Sequence, residues 1–128
     1  MSLRSPLGRV LGLGAAKGGT HHWWSQRAGS VALTVLCVWF VVSLLLLERL
    51  DFDSVAVWMA SPLSSALLIL LLIALVHHSL LGIQVVVEDW ISKKGTRMVT
   101  MLVVTAVHWI IGVVGVLSVL RVALGGVE

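Results

Sequence analysis

Three long apolar stretches, set apart by short polar ones, make up most of the chain. From Leu63 to Val76 the only polar side chains are the hydroxyls of Ser64 and Ser65, and no residue is charged. An apolar run of that length predicts a helix crossing a bilayer, since about 20 residues at ~1.5 Å rise cover ~30 Å of hydrocarbon. Two more runs carry the same signal, giving predicted spans over about 29–47, 63–87 and 98–120. Glu48-Arg49-Leu50-Asp51-Phe52-Asp53 stops the first. Ser61 and Pro62 open the second, proline being at home in a first helical turn. Glu88-Asp89-Trp90 closes it with the charged and aromatic signature of a membrane interface. The following loop, Glu88 to Arg97, has Gly95 as its turn residue. Residues 1–28 read as a polar tail in which Gly8, Gly12, Gly14, Gly18 and Gly19 oppose a stable helix. The expected fold is an all-α integral-membrane domain over 29–128, with three transmembrane helices.

Charge orients this pattern. The tail holds four lysines and arginines (Arg4, Arg9, Lys17 and Arg27) and the second loop three (Lys93, Lys94 and Arg97). The first loop and the C-terminal segment hold one each, Arg49 and Arg121. The positive-inside rule therefore predicts an N-in, C-out topology, with the tail and second loop in the cytoplasm. Charged residues are only 12% of the 128, against roughly 25% in soluble domains, and hydrophobic residues are 59%. The net charge of +3 reflects topology rather than nucleic-acid binding, because no basic stripe with interleaved aromatics exists. A single cysteine, Cys37, excludes a disulfide framework and a cysteine metal site.

Against this apolar background the imidazoles stand out. Helix rise places His78 roughly 14 Å and His108 roughly 15 Å below the same membrane face, near the bilayer middle. Ionisable groups at that depth are functional-site hypotheses. Neutral imidazole suits haem iron, but equally an interhelical hydrogen bond, and the residues alone leave both open. His77 lies about 100° around the helix from His78, so the pair cannot face one ligand. Gly82, one turn beyond His78, leaves room for a close approach, and Gly112 and Gly115 would permit close helix contact. At the interface, the Trp90 indole offers an N–H donor suited to a quinone carbonyl, or an ordinary belt residue. Arg27 and His21, in the cluster His21-His22-Trp23-Trp24-Ser25-Gln26-Arg27, fit an anionic group or simple snorkelling.

Leu7-Gly8-Arg9, the His21–Arg27 cluster, and above all His78, Gly82, Val85-Val86-Val87, Asp89 and Trp90 resemble the succinate dehydrogenase hydrophobic membrane anchor family. These are the D-type chains of bacterial succinate:quinone oxidoreductase (respiratory complex II). The family pattern is a histidine, a glycine four later, a valine-rich run, then aspartate and tyrosine eleven and twelve after the histidine. The resemblance implies that His78 is an axial ligand of haem b, and so its iron ligand, with the partner histidine on the sister C-type cytochrome b anchor chain. It implies that Arg27 and His21 lie near the haem propionates, and that Asp89 and Trp90 lie at the ubiquinone site. Partners would be the flavoprotein, iron–sulfur and C-type anchor subunits in the bacterial inner membrane, the sister anchor packing with this chain into a helical bundle. The succinate-oxidising site would lie on another chain. Trp90 departs from the family: it stands where a tyrosine hydroxyl is expected, and the sequence has no tyrosine. Two rival readings remain on sequence grounds: a stand-alone cytochrome with His78 and His108 clamping one haem, and a cofactor-free three-pass structural protein.

Overall fold

The computed structural model describes residues 19–125, with side chains from Trp23 onward. All its regular elements are helices: α1, Gly19–Leu45; α2, Phe52–Ala60; α3, Pro62–Trp90; and α4, Lys94–Gly125. α1 (from Trp23), α3 and α4 are each long and apolar enough to cross a membrane, with mean hydropathies of 2.3, 2.5 and 2.3. The three predicted spans are present.

Their ends differ from expectation: α1 stops at Leu45, two residues short, and every other end runs further than the apolar signal. α1 begins inside the expected polar tail, so the tail does not run unstructured to residue 28. Where the apolar signal stops, side-chain pairs one turn apart carry the helix on: the Arg27 guanidinium lies over the Trp23 ring at 5.1 Å. α3 likewise runs through Glu88-Asp89-Trp90, supported by a 2.8 Å hydrogen bond from the Gln84 amide to Glu88. Gly95 is not a turn residue but lies in the first turn of α4; the connection is only Ile91-Ser92-Lys93. The first loop also contains a helix that the apolar pattern did not show. Asp51 caps α2, accepting from the Ser54 backbone N–H at 3.0 Å. Ser61 ends α2 and starts α3, accepting from Ser64 N–H at 3.3 Å, with Pro62 in the first turn as expected.

α3 is the central element. It packs against α1, α2 and α4, while α1 and α4 make no contact with each other among the described residues. Trp58 of α2 stacks on Trp39 of α1, with ring centroids 6.0 Å apart. Only Ala56, Leu68, Val87, Val119 and Ser64 are buried among the described residues. A water-soluble domain of this length would bury most of its apolar surface, so the surface this chain leaves open suits lipid or other protein.

Candidate functional site

The α3–α4 contact is an antiparallel seam. Leu72, Val76 and Ser79 recur at helical spacing on α3, and Gly115, Gly112 and His108 answer them on α4. Both glycines permit the close approach expected of them. A Cβ on Gly115 would sit 3.2 Å from Leu72 Cδ1, and one on Gly112 would sit 3.6 Å from Val76 Cγ2. The part of the seam nearer the α3–α4 connection is polar. The His108 Nδ1–H donates to the Val104 carbonyl at 2.8 Å, one turn back on its own helix. A carbonyl only accepts, so Nδ1 carries the hydrogen, and Nε2 accepts from the Ser79 hydroxyl at 3.1 Å. Both nitrogens of His108 are thus engaged, and it is the interhelical hydrogen-bonding histidine of the two candidates. Such a bond between membrane helices is worth about 0.6 kcal/mol on average and up to about 1.7.

His78 is different. It is half-buried, and its Nδ1 is buried with no hydrogen-bond partner. A polar atom withdrawn from water and left unpaired costs roughly 1–3 kcal/mol, so each such atom needs an explanation. One turn along the same face, a Cβ built on Gly82 would meet nothing within 4 Å. The expected close approach at Gly82 is therefore not made by this chain's described residues; the space is open to something else. His77 diverges from His78 as the 100° step requires. It lines an apolar cleft of about 420 Å³ on the other flank of the seam, with Ile73 and Leu80 from α3 and His108, Trp109 and Val113 from α4. His78 does not line that cleft, so His78 and His108 do not converge on one pocket.

At the Glu88 end of α3 the remaining candidates share one membrane face. Asp89 and Trp90 occupy the last turn, and Trp90 is 84% exposed. Acids at a helix C-terminus and bases at an N-terminus both oppose the helix dipole. Here Glu88 and Asp89 end α3, while Lys94 and Arg97 begin α4. None of these four is ion-paired: among the described residues the one salt bridge is Arg49–Asp51, at 2.9 Å on the opposite side. Apart from the Gln84 amide on Glu88, no described side chain offsets these charges. Arg27 is exposed and lies over Trp23, which also meets Trp24 edge-on with centroids 5.2 Å apart. The side chain of His21 lies outside the described residues. Ser79 is the residue that sequence reasoning passed over. Its signal was a hydroxyl next to the paired histidines, at the depth already assigned to His108.

Comparison with known proteins identifies the family. The family described as Succinate dehydrogenase/Fumarate reductase transmembrane subunit matches residues 1–115. The succinate dehydrogenase hydrophobic membrane anchor subunit of Rickettsia conorii is 30% identical over 92 residues, covering 71% of this chain and 73% of its own length. The protein of the same name from Rickettsia bellii is 30% identical over 94 residues, covering 73% and 75%, and that from Rickettsia typhi is 27% identical over 90, covering 70% and 72%. The chain belongs to the transmembrane subunit family of succinate dehydrogenases and fumarate reductases, as a multi-pass membrane anchor subunit of succinate dehydrogenase.

Proposed function

We propose that this anchor shares a haem b with a sister anchor chain and forms part of the site where electrons from succinate oxidation reach ubiquinone. The observation that carries the reading is the unpartnered, buried Nδ1 of His78 beside the open face at Gly82. An imidazole without an in-chain partner, with the open face at Gly82 beside it, would fit a haem whose iron His78 holds. No three His, Cys, Asp or Glu side chains come together among the described residues, but a haem asks only one axial nitrogen of this chain. Bound there, haem b would supply a one-electron carrier.

The chain's own residues would do the rest. His78 would hold the haem iron through its imidazole. Arg27 lies eighteen residues before the end of α1, about 27 Å along it, and His78 sixteen after the start of α3, about 24 Å along it. Arg27, near the cytoplasmic end of its span, would suit a propionate reaching toward that face; His21 stays with Arg27 in this proposal. Asp89 and the exposed Trp90 indole face the membrane surface where a quinone headgroup would arrive, and Trp90 can donate one hydrogen bond where a tyrosine would offer an acidic hydroxyl. With the N-terminus cytoplasmic in a bacterial inner membrane, Lys93, Lys94 and Arg97 lie on the side where flavoprotein and iron–sulfur subunits dock. A haem clamped within the chain by His78 and His108 is disfavoured, because both His108 nitrogens are engaged.

The test is purification of the chain from its native membrane through an affinity tag. Flavin, iron–sulfur protein, a second anchor and a haem b absorption band are expected together, and Trp90→Ala is expected to raise the KM for ubiquinone several-fold while leaving succinate oxidation by a soluble dye intact. Recovery of the chain without haem or companions would leave the cofactor-free structural reading in its place.

A further inference from the structure

The paired histidines pose a problem that the seam answers. His77, His78 and Ser79 follow one another around α3 in steps of about 100°. Turning α3 by one such step would bring His77 to the azimuth of His78 and carry His78 into the seam. The apolar part of the seam, Leu72 and Val76 seated on Gly115 and Gly112, favours the observed register by close packing. The polar contact adds to this, because a turned helix would exchange the Ser79 hydroxyl, donor to His108 Nε2 at 3.1 Å, for the bulkier His78 imidazole. His108 itself cannot turn away freely, since its other nitrogen is tied to the Val104 carbonyl at 2.8 Å.

We infer that the Ser79–His108–Val104 hydrogen-bond chain, added to the glycine seating, is a register lock that holds His78 rather than the adjacent His77 toward the haem flank. It makes Ser79 and His108 positioning residues for His78. This is the membrane counterpart of a single buried polar residue that fixes register in a coiled coil at some cost in stability. The inference rests on the proposed ligation by His78, and the experiment separates the two. In the purified complex, His78→Leu alone is expected to abolish the haem b band. Ser79→Val keeps the shape of threonine without the hydroxyl, and is expected to keep haem but give a heterogeneous low-temperature EPR signal, the largest g value reporting the angle between the axial imidazole planes. Ser79→Thr is expected to restore the single wild-type signal. In the Ser79→Val background, His78→Leu is expected to retain a measurable fraction of haem, lost again when His77→Leu is added. Ser79→Ala serves the same comparisons if the valine variant does not assemble. A full haem band in His78→Leu alone would sink the ligation reading. Loss of haem in that variant, with a wild-type signal in Ser79→Val or Ser79→Ala and no rescue through His77, would sink the register lock.

Discussion

Two histidines at the same depth in the membrane, His108 in the seam and His78 on the flank beyond it, have opposite surroundings. His108 has a partner for each ring nitrogen, both from this chain. His78 has a buried nitrogen with none. Water cannot complete either ring at mid-bilayer, so the difference is informative in a way it would not be on a wet surface. A polar group that finds its partners inside the chain is part of the fold. One that does not points to something supplied from outside. The two glycine positions repeat the contrast: Gly115 is closed by Leu72, whereas Gly82 opens on empty space.

The largest effect should come from exchanging the consequences of the two histidines. His78→Leu relieves an unpaired polar atom, so the isolated chain in detergent should be no less stable, while haem in the assembled complex should fall below detection. His108→Leu should do the reverse: most of the haem stays, but the Ser79 hydroxyl loses its acceptor and the α3–α4 pair weakens by about 1 kcal/mol. Haem content by absorption and chain stability by thermal or denaturant unfolding measure the two effects. Equal losses of haem in both variants would erase the distinction between seam and flank.

Glycine substitution gives a smaller and more local test. Gly115→Val must displace Leu72, whose Cδ1 already lies 3.2 Å from where a Cβ would go. Overpacking of that kind costs about 1–3 kcal/mol, and it should lower the unfolding midpoint of the isolated chain. Gly82→Val meets nothing within the chain and should leave that midpoint unchanged, yet reduce haem retention in the complex by filling the open face beside His78. A Gly82 variant with normal haem content would mean that nothing occupies that face.

How much of this contrast was legible beforehand follows from the range of each signal. The spans were plain because an apolar run is a local property, as in Leu63–Val76. Their ends were not, because a helix continues by backbone hydrogen bonding after the apolar signal has stopped, at Trp23–Arg27 and again at Glu88–Trp90. α2 was hidden for a related reason. Asp51 looked like one more charge halting a span, whereas its spacing to Ser54 was a capping signal. The divergence of His77 from His78 needed only the helical step. Which histidine is satisfied in-chain needed the pairing of Ser79 with His108, residues 29 apart, and that pairing is set by how Leu72 and Val76 seat on Gly115 and Gly112.

The smallest effect belongs to a polar bond that water can replace. Asp51 sits outside the membrane spans and caps α2; the Ser54 side-chain hydrogen bond first, and the Ser54 backbone N–H second, hold its carboxyl below the usual aspartate range. A carboxyl lowered in the folded state contributes stability above its unfolded value, about 3.9, and that contribution fades as pH falls through the lower folded value. Between pH 8 and pH 5.5 the unfolding midpoint should therefore show no dependence traceable to Asp51, and the acid-side decline should shrink in Asp51→Asn, which still caps but does not titrate. Asp51→Ala should fray α2 without touching the α3–α4 seam or the haem, because water takes up the N–H groups it releases. Were that substitution to cost the complex its haem as His78→Leu does, then α2 and its Trp58–Trp39 stack would be holding the flank in place. The division between polar groups that belong to the fold and those that await a partner would then have to be drawn through the interface as well as the membrane.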